Sequence, residues 1–209
     1  MRIGICGGTF DPFHRGHLEP VLAARDVMQW DRVFYIPAHQ QPFKQDQVGT
    51  SGYHRFAMTV LATETRDEMY VSPRELDRGD VSYTVDTLEQ LRAEHPDATI
   101  DWIIGDDNLP QLDKWKSLPR IFELANFAVL TRTGASAAGL VPAAHRHRVA
   151  APRTRGRSGA IVFADNATVP ISSTEVRRRV RAGEPIDAFV DPRVRRYIEH
   201  NRLYQGEHL

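Results

Sequence analysis

The sequence predicts an α/β protein: a Rossmann-like, doubly wound parallel sheet with C-terminal helices. Two observations lead to this prediction. Short apolar runs typical of buried strands alternate with segments of helical periodicity, and the first apolar run ends at a glycine pair that leads into a helix. The length of 209 residues suits a single domain, residues 1–209, with a loop insertion at 134–159.

Three strands and the helices between them are predicted in the first part of the chain. Residues 2–6 (RIGIC) form an apolar run that is typical of a buried strand. In the helix predicted from residue 16 to residue 28, apolar positions recur on one face. The runs 31–37 (DRVFYIP) and 69–72 are a second and a third strand, separated by a helix at 54–65.

The rest of the chain continues the alternation and ends in helices. The predicted strands are 99–104, 127–130 and 161–163, and the predicted helices are 85–94, 121–124, 175–181 and 192–201. Between the last two strands, residues 133–159 are rich in Ala, Gly, Pro, Arg and His and break the pattern. We expect a loop insertion there rather than a domain boundary.

Charge and cysteine content exclude several classes of protein. Lys+Arg (27) balance Asp+Glu (27), so no general attraction to nucleic acid or to a membrane surface is expected. The single cysteine, Cys6, excludes an internal disulfide framework and fits a reducing compartment. Because the sequence has no apolar run long enough for a bilayer and no apolar leader at its N-terminus, we expect a cytoplasmic protein.

The segment GGTFDPFHRGH, residues 7–17, lies where the first strand passes into the first helix. In open α/β sheets, ligands bind at the carboxyl ends of strands, and glycines let the backbone approach a phosphate closely. His14 and His17 lie three residues apart at the helix start, where two imidazoles could donate hydrogen bonds to phosphate oxygens. An ordinary corner with two surface histidines, or a metal-binding pair, is the alternative. GxGxxG and P-loop patterns are absent.

A second motif, ISSTEVR, covers residues 171–177. Serine and threonine cap helices well, so the motif predicts a helix start. Three hydroxyls at that start, with Arg177 one turn later, would form an anion pocket. The alternative is an ordinary cap on a basic surface helix.

Taken together, the two motifs resemble those of the HxGH nucleotidyltransferases, and GGTFDPFHRGH resembles the bacterial nicotinate mononucleotide adenylyltransferase family within them. The similarity runs from residue 2 to about residue 130 and again from 161 to 204. It implies that His14, His17 and Arg177 hold the phosphates of ATP and that Thr9 lies beside the α-phosphate. The acceptor phosphate would attack the α-phosphorus directly, and pyrophosphate would leave with Mg²⁺, with no covalent enzyme intermediate.

The resemblance also implies binding residues for both substrates. Those implied for ATP are Gly7, Gly8, Phe10, Gly16, Lys44, Gly105, Asp107, Arg132, Ser172, Ser173 and Thr174. Those implied for nicotinate mononucleotide are Ser82, Tyr83, Thr84 and Trp115. From the residues alone, Thr84 could simply cap a helix, Trp115 could pack in the core, and Asp107 could be a turn carboxylate. No cluster of protein metal ligands is evident, so Mg²⁺ would arrive with ATP.

The sequence departs from the family pattern in three places. The loop that usually reads PPHK is QPFK here, with Phe43 in place of the histidine. The usual GAD turn is GDD at 105–107, which would add a carboxylate near the nucleotide. Residues 135–158 are longer than usual and carry His145, Arg146, His147, Arg148, Arg153, Arg155 and Arg157. We expect a solvated loop there; contact between subunits of a homo-oligomer or binding of a polyanion such as RNA are the alternatives.

Transfer of AMP from ATP to nicotinate mononucleotide, giving nicotinate adenine dinucleotide and pyrophosphate in NAD biosynthesis, is therefore the expected function. Another phosphorylated acceptor, nicotinamide mononucleotide or phosphopantetheine, is the nearest alternative; phosphopantetheine enzymes usually carry threonine where His14 stands. A nucleotide sensor on the same fold is an alternative from a different class.

Overall fold

A computed structural model describes residues 1–42, 49–131, 134–164 and 169–206, and for 134–136 it describes the backbone alone. The described strands are β1 (Arg2–Gly8), β2 (Arg32–Pro37), β3 (Met69–Val71), β4 (Thr99–Gly105), β5 (Asn126–Leu130), β6 (Val149–Ala150) and β7 (Ile161–Ala164). They form one sheet in the order β3-β2-β1-β4-β5-β7-β6, and every pairing in it is parallel.

Helices cover both faces of this sheet. They are α1 (Arg15–Met28), α2 (Gly52–Thr63), α3 (Arg74–Arg78), α4 (Thr84–Glu94), α5 (Leu118–Leu124), α6 (Ser173–Ala182) and α7 (Pro192–His200). Three 3-10 helices, Asp106–Lys114, Gly134–Leu140 and Ala143–Arg148, lie between them. The Rossmann-like, doubly wound α/β prediction is confirmed.

Alternate strand positions build two separate cores. Ile3 and Ile100 face one side of the sheet and pack with Leu88 of α4 and Phe122 of α5. The other side packs against α1, α2, α6 and α7; its buried side chains include Val33, Tyr35, Val21, Met58, Val176 and Val194. Because the strands are buried on both faces, they appear in the sequence as continuous apolar runs.

The order in which strands are added to the sheet changes direction between β1 and β4. From β1 the chain proceeds outward through β2 and β3, then returns to place β4 on the other side of β1. β1 and β4 are neighbours, and the chain leaves their carboxyl ends, at Gly8 and Gly105, toward opposite sides of the sheet. This switch in strand order is where open α/β sheets form a ligand crevice.

All of the predicted strands and helices are present, with ends that differ by a few residues. The sequence did not predict α3, the 3-10 helix Asp106–Lys114 or the two-residue strand β6. Pro110 lies inside that 3-10 helix and makes the segment look like a loop in sequence. Along the described ranges, no helix combines the length and the apolar character needed to span a bilayer.

The segment 135–158 differs from the expected solvated loop in part. Most of its described side chains are exposed or half-buried, but it holds two 3-10 helices and β6, and Arg155 is 7% exposed. The guanidinium of Arg155 reaches Asp101 at 2.7 Å in an ion pair whose two side chains are fully buried. The guanidinium of Arg148 stacks 4.2 Å from the Phe122 ring centre. These contacts exist because the segment covers the amino-terminal edge of β4 and β5.

Candidate active site

The two motifs predicted to hold phosphates meet in space. Nη1 of Arg177 donates to the carbonyl oxygen of Asp11 at 2.6 Å, and Oγ of Ser173 donates to that of Pro12 at 3.1 Å. A Cβ added to Gly16 would lie 3.3 Å from the carbonyl oxygen of Ile171, so glycine at this position permits the close approach. The ends of the chain thereby form one wall of a shared cleft.

The histidine pair is shaped by the start of α1. His14 occupies the N-cap position, and its backbone N–H donates to Nδ1 of His17 at 3.2 Å. The two rings stack with centres 3.7 Å apart and planes inclined by 19°. Because Nδ1 of His17 accepts a hydrogen bond, the neutral ring carries its proton on Nε2 and can donate from there. His14 is 4% exposed and His17 is half-buried.

Phe10 is a structural residue as much as a binding one. Its backbone has a φ of 53°, and its ring is 3% exposed, packed 5.3 Å from Phe13 and edge-on to His17 at 5.0 Å. A Cβ on Gly8 would lie 2.8 Å from this ring. Because its ring is buried, Phe10 could contact ATP through its backbone only. The ring packs edge-on against His17 and supports that side chain.

The hydroxyl-rich motif begins α6 as predicted. Oγ of Ser172 accepts the backbone N–H of Glu175 at 3.2 Å, which makes Ser172 the N-cap. Nη2 of Arg177 lies 3.5 Å from Oγ1 of Thr174. The helix ends at Gly183, which adopts a left-handed φ of 68°. Two hydroxyls, a guanidinium and a helix N-terminus thus lie together, as an anion site requires.

The residues predicted to bind the acceptor, Ser82, Tyr83, Thr84 and Trp115, line the same cleft. Oγ of Ser82 accepts the backbone N–H of His39 at 2.9 Å. Tyr83, not Thr84, occupies the N-cap position of α4, so the alternative role of Thr84 as a cap is wrong. The backbone N–H of Tyr83 donates to Val81, so the donors at this helix start include the N–H groups of Thr84 and Val85 and the hydroxyl of Thr84.

Trp115 ends the 3-10 helix that follows β4, and its ring packs edge-on against Phe127 with centres 5.5 Å apart. It is half-buried, so the core holds one part of the indole and the cleft meets another. Beside it, Nζ of Lys116 lies 4.2 Å above the Tyr83 ring centre. The aromatic platform is therefore rigid and has a cation at its rim.

Gly105 and Asp107, which were predicted to bind the nucleotide, lie at and just beyond the end of β4 and line the cleft. A Cβ on Gly105 would lie 2.3 Å from Oδ1 of Asp107, so a larger residue at this position would displace that carboxylate. Asp106 is 2% exposed and does not line the cleft. The expectation that the GDD turn adds a carboxylate beside the nucleotide is wrong. Lys44 and Arg132 lie outside the described residues.

Among the cleft residues that the sequence did not indicate are Arg55 and Tyr204. Arg55, in the first turn of α2, is 4% exposed and donates to four backbone carbonyls: Thr9 at 2.5 Å, Ala38 at 2.7 Å, Thr50 at 3.1 Å and His39 at 3.5 Å. Burial lowers the pKa of Arg55, and the nearby charge of Asp11 opposes that shift. Tyr204, beyond α7, donates its phenol to Oδ1 of Asp11 at 2.6 Å. A lone arginine or tyrosine in a helical pattern carries no sequence signal for such contacts.

The cleft encloses about 1760 Å³. Pockets for a single drug-sized ligand hold roughly 300–1,000 Å³, so this cleft suits two nucleotide-sized substrates. Burial raises the pKa of the Cys6 thiol, which lines the cleft, to about 12; at neutral pH the thiol stays protonated and is no nucleophile. Within the described residues, no three His, Cys, Asp or Glu side chains are placed to hold a metal ion.

Comparison with known proteins agrees with this geometry. A cytidylyltransferase-like family model matches residues 5–179 and defines the class of nucleotidyltransferase to which the sheet and cleft correspond. Over 209 residues the chain is 38% identical to the probable nicotinate-nucleotide adenylyltransferase of Chromobacterium violaceum, covering 98% of this chain and 99% of that one. It is 37% identical to the protein of the same name from Streptomyces coelicolor, covering 96% and 100%. The chain belongs to the nicotinate-nucleotide adenylyltransferase family.

A solved structure shares the fold at much lower identity. The nicotinic acid mononucleotide adenylyltransferase of Plasmodium falciparum, complexed with NaAD, superposes with a TM-score of 0.69 at 18% identity and covers 97% of each chain. The same enzyme complexed with APC gives a TM-score of 0.68. At this identity the likeness concerns the fold alone.

Proposed function

We propose that this protein transfers AMP from ATP to nicotinate mononucleotide, giving nicotinate adenine dinucleotide and pyrophosphate, as a cytoplasmic enzyme of NAD biosynthesis. The observation that carries the proposal is the contact of Arg177 with the Asp11 carbonyl, since it joins the two phosphate motifs across one cleft. The family relatives, which carry the name of this activity, support it.

The triphosphate binds to the wall of the cleft that the two motifs form. His17 donates from Nε2, and Thr174 and Arg177 present hydroxyl and guanidinium donors from the start of α6. The hydroxyl of Ser173 donates to Pro12, so Ser173 would meet the phosphates through its backbone N–H at the helix N-terminus. Thr9 lies at the end of β1, where the α-phosphate would rest on the glycine-rich backbone. The interactions of these groups with the phosphate oxygens become stronger as charge moves onto the departing pyrophosphate. They therefore lower the barrier to reaction in addition to binding ATP.

The acceptor enters from the opposite wall. The pyridine ring would lie against Trp115, and the N–H and hydroxyl of Thr84 would receive its carboxylate at the start of α4. An oxygen of the acceptor's own phosphate then bonds to the α-phosphorus while the bond to the β-phosphate bridge oxygen breaks. No side-chain nucleophile takes part, so alignment of the two substrates and charge stabilisation account for the rate.

Mg²⁺ fits this site as a companion of ATP. The described residues offer no three-ligand cluster, so phosphate oxygens and water would supply most of its ligands, which is how Mg²⁺ is usually held. When bound, it offsets negative charge on the triphosphate. Lys44 and Arg132, proposed from the family resemblance, would contact phosphate and adenine respectively.

Pyrophosphate release tests the proposal. The wild-type protein is mixed with Mg²⁺, ATP and either nicotinate or nicotinamide mononucleotide, and His17→Ala serves as the control for contaminating activity. We expect rapid release with nicotinate mononucleotide, slower release with the amide, and little from the variant. If pyrophosphate is released with nicotinamide mononucleotide alone, that compound replaces nicotinate mononucleotide as the proposed acceptor. ATP binding without pyrophosphate release in the presence of either acceptor would favour a nucleotide sensor.

A further inference from the structure

Asp11 places a carboxylate in a cleft built to bind a triphosphate. It lines that cleft beside the histidine pair and is 6% exposed. An uncompensated negative charge there would repel ATP, and the low dielectric of a buried site would strengthen the repulsion. The groups around Asp11 therefore matter to phosphate binding even where they are distant from the reacting atoms.

Three chain segments hold the Asp11 carboxylate in place. The phenol of Tyr204 donates to Oδ1 of Asp11 at 2.6 Å, and the backbone N–H of Thr50 donates to Oδ2 at 3.2 Å. Arg55 holds the carbonyl of Thr50 at 3.1 Å and thereby fixes the second donor. A Cβ on Gly49 would lie 3.1 Å from Oδ2, so the chain passes close to the carboxylate on this side. Both oxygens of Asp11 thus accept a hydrogen bond.

The segment that delivers Tyr204 is held in an uncommon conformation. Arg202 and Tyr204 have φ values of 52° and 60°, in the left-handed region that side chains other than glycine rarely adopt. Tertiary contacts must hold such residues in place. The backbone N–H of Leu203 donates to Ile198 at 3.0 Å, and its side chain packs against the core. The phenol is therefore directed onto Asp11 by the fold.

We propose that Tyr204 is a positioning residue of the ATP site, which holds the Asp11 carboxylate in one orientation and disperses its negative charge, so that the cleft can accept a triphosphate. This inference rests on the proposed function. It makes the residues beyond α7 part of the nucleotide site, although Tyr204 itself performs no chemistry. Burial, and next the negative charge of Asp11, raise the pKa of the Tyr204 phenol well above its usual value, so it stays a proton donor at neutral pH.

Calorimetry with Mg²⁺ and either ATP or adenosine tests this role in Tyr204→Phe. The variant loses one hydroxyl and keeps the ring. We expect its Kd for ATP to rise about tenfold, a typical size for coupling between sites, because the carboxylate that Tyr204 no longer holds would turn toward the phosphates and repel them. Its Kd for adenosine should not change, because adenosine carries no phosphate to be repelled. If the substitution merely distorted the cleft, the binding of ATP and of adenosine would weaken equally, and that result would overturn the proposal.

A matched control and a second background sharpen the test. Tyr197→Phe removes a neighbouring phenol that contacts Nδ1 of His54 at 2.9 Å rather than Asp11, so its Kd for ATP should equal that of the wild type. In an Asp11→Asn background the carboxylate charge is absent, and Tyr204→Phe should change the ATP Kd by less than about twofold. An equal loss in both backgrounds would overturn the proposal.

Failure of this inference can be separated from failure of the proposed function. If the wild type releases pyrophosphate with nicotinate mononucleotide but Tyr204→Phe binds ATP as the wild type does, the role of Tyr204 is refuted and the function stands. If the wild type does not bind ATP, both are refuted together.

Discussion

Two polar clusters lie toward opposite ends of β4. In the first, which we call the closed cluster, the charges are buried and paired; in the second, the open cluster, the charged donors line a cleft. At the amino-terminal end, Asp101 accepts hydrogen bonds from Trp30 at 2.7 Å and Asn126 at 2.9 Å, and pairs with Arg155 at 2.7 Å. Its side chain and that of Arg155 are fully buried. At the carboxyl end, the donors of His17 and Arg177 line an open cleft.

The difference shows how to separate structural charge from functional charge. Every partner of Asp101 belongs to the protein, so the cluster is complete without a ligand and closes that edge of the sheet. The cationic and hydroxyl donors of the cleft instead surround a volume large enough for substrates. A charged residue in this fold is thus judged by whether it is buried among protein partners or also lines the cleft.

Arg155→Ala should break the closed cluster and have the largest effect on stability. Removing one member of a buried ion pair leaves the other charge uncompensated and costs about 3–5 kcal/mol. Urea denaturation followed by circular dichroism measures this. Arg153→Ala, an exposed arginine on the same segment, should change stability by less than about 0.5 kcal/mol. Equal stabilities for the two variants would contradict the buried pair.

His17→Ala should break the open cluster and leave the fold intact. Loss of one well-placed donor to developing charge lowers kcat about 10²- to 10³-fold. Because His17 also accepts the His14 N–H at the start of α1, we expect a loss of stability of only about 1 kcal/mol. Steady-state kinetics and a thermal melt on the same sample separate the two. Turnover equal to that of the wild type would refute the assigned role.

The sequence was most informative where structure and site are both local. The strand, glycine pair and histidines of residues 7–17 lie on consecutive residues, and so do the cap and arginine of 171–177. The serine cap at Ser172 has a local conformational reason that can be read before the fold is known, whereas Gly16 permits the approach of the distant Ile171 carbonyl. That is why both motifs predicted their helix starts and a shared chemistry.

Contacts between distant residues were beyond the sequence. Arg155 lies 54 positions from Asp101, Arg55 lies 46 from Thr9, and Tyr204 lies 193 from Asp11. In the sequence, each of these side chains resembles an ordinary surface residue of a helix or loop. Only the packing of the segments turns Arg155 into part of the core and Arg55 and Tyr204 into supports of the cleft.

Ser172→Ala should give the smallest effect and sharpen the distinction between cap and ligand. Loss of the bond to the Glu175 N–H should lower stability by about 1 kcal/mol. Ser51 is the matched control, since it holds the same position at the start of α2 without a side-chain cap bond. Thermal melts compare the alanine variants. If Ser51→Ala destabilises as much as Ser172→Ala, the cap does not explain the loss.

The central claim is that the histidine pair and the start of α6 hold the same polyphosphate. Calorimetric titration of ATP and of AMP into the wild type, His17→Ala and Arg177→Ala tests it most directly, since the two ligands differ in the β- and γ-phosphates alone. We predict that both variants lose affinity for ATP by about tenfold or more and keep their affinity for AMP within about twofold. Unchanged binding of ATP by either variant would contradict the claim.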